Sequence, residues 1–151
     1  MLCTGGIIKI VNTVLTIPFN SILLAAAANL SFFTAILSKG GFLTAEDADL
    51  ISNVAYAPNM TFFAPNTAAA VAAFTAASTG MSQADLAAVF NYHIIHGLGY
   101  SPLLRNGMVL QTVQGSNITI TKQGPDIYVN AAKIISSDYL VANGVVHVID
   151  R

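Results

Sequence analysis

Charged residues are scarce in this chain. Of its 151 residues, six are Lys or Arg and seven are Asp or Glu, which gives a charged fraction of 9% and a formal net charge of −1. Such a chain lacks the basic surface on which nucleic-acid binding depends, so we set nucleic acid aside as a partner. The hydrophobic fraction of 54% excludes a disordered chain and requires one large core. With so few charges, polar side chains or attached glycans must keep the surface soluble.

Cysteine is almost absent. Cys3 is the single thiol, which excludes an internal disulfide framework and a cysteine-rich zinc site. His93 and His96 stand three residues apart at the end of a predicted helix, a spacing that can place two imidazoles on one metal. A third ligand is missing nearby, and His93 falls on the apolar stripe of that helix, which favours a buried histidine satisfied by a hydrogen bond. We therefore predict no metal site and no cofactor.

Apolar runs of membrane-spanning length are also missing. The first run is interrupted by polar residues and a proline, and no basic segment precedes it, so we expect neither a membrane span nor a signal peptide there. The run over 21–37 is too short to span a bilayer. Its apolar residues recur every three or four positions from Ile22, which predicts a buried helix that stops at Gly40.

Three N-glycosylation sequons are present, at Asn29, Asn59 and Asn117, and none has proline in its middle position. Glycans at these positions would supply the surface polarity that the charge lacks. Together these features predict a secreted protein at the cell surface or in the cell wall. The full-length protein could carry a lipid anchor.

The predicted elements change type along the chain. Helices are expected in the first two-thirds. One begins near Thr44, and another begins at Asn66 or Thr67. A further helix begins at a capping box of Ser82 and Asp85, and its apolar stripe continues to residue 94. A short strand over 60–63 precedes the second of these. After residue 107 the pattern changes to alternation, which predicts strands over 109–113, 117–122, 127–130, 132–135 and 145–149. This order indicates an α+β fold, with a layer of helices packed on an antiparallel sheet or sandwich.

The chain begins with a segment that resembles its end. Residues 6–12 repeat the pattern of residues 144–150 at a separation of about one domain length. The repeat predicts that residues 1–18 are the terminal strand of a preceding domain copy and that residues 19–151 are the domain itself. An apolar strand of this kind should add to a sheet edge, in this chain or in a second copy, so residues 6–17 predict a possible dimer.

Three short segments carry a recognisable signature: Thr61–Thr67 (TFFAPNT), Asn91–His93 (NYH) and Asn143–Asp150 (NGVVHVID). In this order and spacing they resemble the fasciclin-like domain family over about residues 20–151. The resemblance implies a β-wedge fold with a helical layer, an extracellular adhesion or matrix role, and no active site or obligate cofactor. It also implies structural roles for the motif residues Pro65, Tyr92, His93, Asn143, Gly144 and His147.

Three of these motif residues have expected contacts. The Tyr92 ring is expected to fill the core while its hydroxyl reaches a backbone partner. His93 is expected to be buried and hydrogen-bonded. For His147, at an alternating strand position, we expect packing or a hydrogen bond at a sheet edge.

The segment just before the closing strand is the predicted contact surface. Animal members of the family carry integrin-recognition strings there. The residues at that position are Ser136, Ser137, Asp138, Tyr139 and Leu140. Asp138 and Leu140 match the strings and the other three do not, so we predict a binding loop, with the neighbouring Tyr128, rather than integrin recognition. The alternative is that Asp138 is a turn residue whose carboxylate caps its own backbone.

The predicted function is adhesion through weak, multivalent contacts with cell-wall polysaccharide, a matrix protein or a like domain. Two alternatives stay open. A hydrolase acting on a cell-wall carbohydrate ester would need a serine, Asp138 and His147 or His93 to converge in space, and no nucleophile elbow is present, so the sequence leans against an enzyme. A purely structural spacer would show no exposed apolar patch and no ligand.

Overall fold

The computed structural model describes residues 2–3, 6–7, 31–40 and 57–151. The helix predicted near Thr44, the sequon at Asn29 and most of the predicted strand over 6–17 lie outside these residues. Near the N-terminus, β1 (Leu2–Cys3) and β2 (Gly6–Ile7) pair antiparallel with each other. The described part of the predicted edge strand therefore belongs to a separate two-stranded sheet and not to the main sheet.

The helices of the described ranges are α1 (Ser31–Lys39), α2 (Ala68–Ala77) and α3 (Gln83–Tyr92). The hydroxyl of Thr67 accepts a hydrogen bond from the backbone N–H of Ala70 at 3.1 Å, so Thr67 rather than its neighbour caps α2. The predicted capping box of Ser82 and Asp85 is present at the start of α3.

The prediction that α3 carries through residue 94 is wrong. The helix ends at Tyr92, His93 is its C-cap, and Ile94 already lies in the next strand. Ile94 pairs with Phe62 across the sheet, and this long-range pairing overrides the helical spacing of the apolar residues.

Seven strands form the main sheet. They are β3 (Met60–Pro65), β4 (Ile94–His96), β5 (Val109–Gln111), β6 (Asn117–Gln123), β7 (Asp126–Val129), β8 (Ala132–Val141) and β9 (Gly144–Ile149). Their order is β4-β3-β9-β8-β7-β6-β5, and all neighbours are antiparallel except β3 and β9. The expectation of antiparallel sheets alone is thus wrong, since the long connection between β3 and β9 permits a parallel pair. The α+β class and the helical layer are confirmed.

The two ends of this sheet approach each other. Ile95 of β4 forms an antiparallel bridge with Thr112, which directly follows β5. The backbone N–H of Val113 donates to the carbonyl of Ile94 at 2.8 Å. The sheet is therefore mixed and nearly closed.

The core lies on both sides of the sheet. Alternate residues of β3 and β9 face opposite sides, as a pleated strand requires. The side that carries the three helices buries Phe32, Ile36, Met60, Phe62, Ala64, Phe74, Leu86, Ala87, Phe90, Ile94, Val141, Val146 and Val148. The other side, closed over by β5 to β8, buries Phe63, Ile95, Leu104, Ile118, Ile120, Val129, Ala132 and Ile149.

β8 is longer than predicted. The expected strand over 132–135 continues to Val141, so the segment interpreted as a loop, residues 136–140, lies within a strand. Its pairing with β9 shifts register between Ile134 and Ser136 and again between Ser136 and Tyr139. Two polar serines and an aspartate resemble a turn in the sequence, but here they form an irregular strand of the bulged type.

Candidate functional site

Residues 135–140 of β8, which begin in the irregular part of the strand, are the candidate contact surface, and we call them the β8 bulge. Asp138 lies at its centre with φ of 63°, a left-handed conformation that aspartate tolerates better than most residues. Ile135 is 51% exposed, Tyr139 44% and Leu140 59%. The bulge thus presents three apolar side chains to solvent from a part of β8 that pairs with β9.

Asp138 is held by residues from outside its own strand. Its Oδ1 accepts a hydrogen bond from the backbone N–H of Ser101 at 2.8 Å, and its Oδ2 accepts from the Ser101 hydroxyl. A further bond comes from the Ser137 hydroxyl at 3.3 Å. Burial alone would raise the pKa of Asp138, but the Ser101 and Ser137 hydrogen bonds and the nearby His147 lower it below its ordinary value. The carboxylate therefore anchors the segment around Ser101 instead of capping its own backbone.

His147 supports the β8 bulge from beneath. The ring is fully buried in β9 and stacks on Phe63, with ring centroids 5.6 Å apart. Its Nε2 donates to the Gly99 carbonyl at 2.8 Å, and its Nδ1 accepts from the backbone N–H of Asp138 at 3.3 Å. Burial lowers the pKa of His147, so the ring stays neutral at neutral pH and keeps this pair of hydrogen bonds. It lies on a central strand, not at a sheet edge.

Thr61 binds the segment that also contacts Asp138 and His147. This fully buried side chain of β3 donates its hydroxyl hydrogen to the Gly97 carbonyl at 2.6 Å and accepts from the Gly99 backbone N–H at 2.8 Å. The segment 97–101 is thereby tied to β3, β8 and β9 at once. Sequence reasoning missed Thr61, Gly99 and Ser101 because each acts on residues about 37 to 48 positions away.

The predicted contact residues do not all come together. The Ser136 hydroxyl donates to the Tyr139 hydroxyl at 2.9 Å, within the β8 bulge. Tyr128 lies on β7 opposite Lys133, outside the bulge. Lys133 is itself paired with Asp126, Nζ to Oδ2, at 2.7 Å.

The motif residues of β3 and β9 fix the parallel strand pair. Pro65 ends β3 opposite Ile149. The buried Asn143 offers its carbonyl to the backbone N–H of Met60 at 3.0 Å. Gly144 lies directly opposite Met60, where a Cβ would stand 1.8 Å from the Met60 carbonyl oxygen. These are structural roles.

Tyr92 and His93 sit at the end of α3. The Tyr92 side chain is 37% exposed, and its hydroxyl accepts from Asn130 Nδ2 at 3.1 Å. The expectation of a core ring with a backbone partner is therefore wrong, because Tyr92 is on the exposed side of this helix end while Phe90 packs into the core. His93 donates from Nδ1 to the Val89 carbonyl at 2.7 Å and packs against Phe32, which confirms its predicted hydrogen bond. Burial lowers the pKa of His93 despite that bond.

The remaining predicted positions lie on the surface or apart. His96 is exposed at the end of β4, so it does not share a helix face with His93. The described residues contain no group of three potential metal ligands. Asn59 and Asn117 are both exposed, as a glycan requires. Within the described ranges, none of the helices has the length and apolar character needed to cross a bilayer.

Comparison with known proteins places these features in context. The sequence profile of the Fasciclin domain matches residues 29–151. A fasciclin-like arabinogalactan protein of Arthroderma benhamiae is 32% identical over 146 residues, which cover 96% of this chain and 32% of that protein. Human periostin is 36% identical over 64 residues, or 40% of this chain and 7% of periostin. The chain thus spans about a third or less of the length of these relatives.

A solved structure shares the fold. The FAS1 domain pair of the insect cell adhesion molecule Fasciclin I superposes with a TM-score of 0.61 at 18% identity. The match covers 84% of this chain and 45% of that chain. At this identity the likeness concerns the fold alone.

Proposed function

Because the chain belongs to the Fasciclin domain family, we propose that it is an extracellular adhesion module that binds its partner through the β8 bulge. The partner classes that suit it are a wall polysaccharide, a matrix protein or a like domain. The sequons at the exposed Asn59 and Asn117 and the low charge support a secreted glycoprotein at the cell surface or in the cell wall.

The observation that carries the proposal is the combination of a backbone held by hydrogen bonds and exposed apolar side chains. Ile135, Tyr139 and Leu140 are about half exposed. The backbone that presents them is fixed by Asp138, which is bonded to Ser101 and His147. A contact surface whose shape is set before binding loses less conformational entropy on association. A spacer has no need for such a surface, so the exposed apolar residues favour binding over the spacer alternative.

The geometry of the same residues does not favour hydrolysis. Both His147 ring nitrogens are engaged with backbone groups, at Gly99 and Asp138. The Asp138 carboxylate holds Ser101, and the Ser136 hydroxyl donates to Tyr139. A serine hydrolase needs a histidine nitrogen free to take the proton of the nucleophile, and His147 offers none.

Multivalency is part of the proposal. A single small apolar surface gives weak binding, and linked copies raise the overall avidity without any new contact. The fungal relative is about three times as long as this chain, which leaves room for further copies in proteins of this type.

The test is a binding assay with matched variants. The purified chain is incubated with insoluble wall polysaccharides and with immobilised matrix proteins, and the bound fraction is measured against protein concentration. Leu140→Ser should lower the bound fraction several-fold, and Asp138→Ala should do the same by releasing the β8 bulge. Val109→Ser is the control, since Val109 is 58% exposed on β5 and lies outside the bulge.

Two results would count against the proposal. Equal binding by Leu140→Ser and the parent chain would place the contact elsewhere. Soluble fragments released by the parent chain, and absent with Asp138→Ala, would favour the hydrolase.

A further inference from the structure

A second surface feature lies away from the β8 bulge and plays no part in the proposed adhesion. It is a pocket of about 210 Å³ near the end of α3, bounded by β3, β6 and the ends of β7, β8 and β9. Its apolar lining consists of Phe63, Ile118, Val129, Ala131, Ala132 and Ile149. An apolar cavity of about 150 Å³ is enough to bind benzene, so this pocket has room for one aromatic ring with a small substituent.

Polar groups with unused capacity line the same pocket. Tyr92 accepts a hydrogen bond from Asn130, and its own hydroxyl hydrogen has no acceptor among the described residues. His93 donates from Nδ1 to Val89, so its Nε2 is the acceptor nitrogen of the neutral ring. Nε2 has no partner in the described part of the chain. The two rings are adjacent, with centroids 5.8 Å apart.

The hydroxyl of Tyr92 and the Nε2 of His93 can both bind one kind of ligand group. The Tyr92 hydroxyl can donate, and the neutral His93 ring can accept. A single hydroxyl group satisfies both, because it accepts one hydrogen bond and donates another. An aromatic ring that carries this hydroxyl can bury its faces against Phe63 and Ile118.

A carboxylic acid fits less well. Arg151 is the cation beside the pocket, but its Nε and Nη2 are both bonded to the Asp150 carboxylate, at 3.1 and 3.0 Å. Its charge is already balanced by that neighbour. Ionised ligands would also meet an acceptor, not a donor, at His93 Nε2.

We propose that this pocket binds a small monophenol, with the phenol hydroxyl between Tyr92 and His93 and the ring on the apolar lining. The site does not depend on the proposed adhesion, and no residue of the β8 bulge lines it.

The test uses three probes that share one shape. The ¹⁵N-labelled 151-residue chain is titrated by NMR with p-cresol, with p-xylene, which replaces the hydroxyl by a methyl group, and with 4-methylbenzoate. We expect saturable shifts at Ile118 and Val129–Ala132, and p-cresol should bind about three- to tenfold more tightly than p-xylene, the range of one net hydrogen bond. The benzoate should bind more weakly than p-cresol.

Two variants and one control assign the contacts. Tyr92→Phe should remove most of the advantage of p-cresol while p-xylene binding stays unchanged, and Tyr139→Phe, on the β8 bulge, should change neither. Ala131→Leu, at an exposed lining position where a larger side chain does not disturb the core, should weaken both ligands.

Three outcomes would overturn the proposal. Equal affinity for p-cresol and p-xylene would remove the role of the hydroxyl, and tighter binding of the benzoate would assign the pocket to anions. Shifts that do not saturate, or that centre on other residues, would mean that the pocket is not a phenol site.

Discussion

Some positions in this fold have no space for a larger side chain, and Gly144 is the clearest example. A Cβ at this position would stand 1.8 Å from the Met60 carbonyl oxygen and 2.7 Å from the Met60 carbonyl carbon. These are backbone atoms of the paired strand, so only a separation of β3 from β9 can relieve the clash. The motif resemblance assigned Gly144 a structural role, but the reason depends on a parallel pairing across 84 positions that no local pattern displays.

Gly144→Ala should therefore lower the free energy of unfolding by about 3 kcal/mol or more, the upper range for overpacked sites. Urea unfolding followed by circular dichroism measures the change. Gly107→Ala is the control, because Gly107 has φ of 78° but open space around it, and its cost should be near 1 kcal/mol. If the two variants lose the same stability, the contact with Met60 is not what excludes a side chain at Gly144.

Elements whose signals lie within a few residues were predictable, and elements that depend on distant partners were not. The capping box of Ser82 and Asp85 and the cap at Thr67 follow from residues three apart. β8 was predicted only to residue 135, because its two serines and Asp138 resemble a turn, whereas the chain continues as a strand that pairs with β9 through two shifts of register. The strand after α3 was missed because Ile94 takes its conformation from pairing with the distant Phe62.

The cap residue of α2 links this helix to the end of β9, and substitutions at Thr67 test this link. The Thr67 hydroxyl accepts from Ala70 N–H and donates to the Asp150 carbonyl at 2.7 Å, which ties the start of the helix to the end of β9. Thr67→Ala should lower the free energy of unfolding by about 1–2 kcal/mol, whereas Thr67→Ser, which keeps the hydroxyl, should lose much less. Urea midpoints of the two variants decide this, and equal losses would show that the hydroxyl contributes little.

The whole molecule should lose stability in acid. His93 and His147 both have a lowered pKa, chiefly because of burial. Near pH 6.5 the unfolded chain therefore binds protons at these two histidines, while the folded chain does not. The contribution of these histidines to the free energy of unfolding is therefore largest above about pH 6.5. It falls as the pH drops toward the lowered pKa values, by at most about 1.4 kcal/mol per pH unit for each histidine. The lowered pKa of Asp138 adds a further loss in stronger acid.

Urea unfolding between pH 8 and pH 5 measures this dependence. His147→Gln should be less stable than the parent chain at pH 8. Its stability should fall less steeply as the pH is lowered, because one of the two histidines with a lowered pKa has been removed. His96→Gln, at an exposed position, is the control. Parallel curves for His147→Gln and the parent chain would contradict the role given to His147.

At this scale the sequence predicted the class and the family but not the topology. The change from helical spacing to alternation indicated α+β, and three motifs pointed to the family whose profile matches residues 29–151. The parallel pair of β3 and β9 and the buried contacts of Thr61 and His147 depend on which distant segments meet. Neither is encoded in local spacing.

The bridge between Ile95 and Thr112 also limits how copies of this domain can assemble. Where the two end strands meet, they offer few free backbone groups to a strand from another molecule. Copies crowded on one surface would touch at this face through side chains, in contacts that form and break without any exchange of strands. Under the proposed adhesion, a dense layer of such domains would bind and release at this face without joining into one continuous sheet.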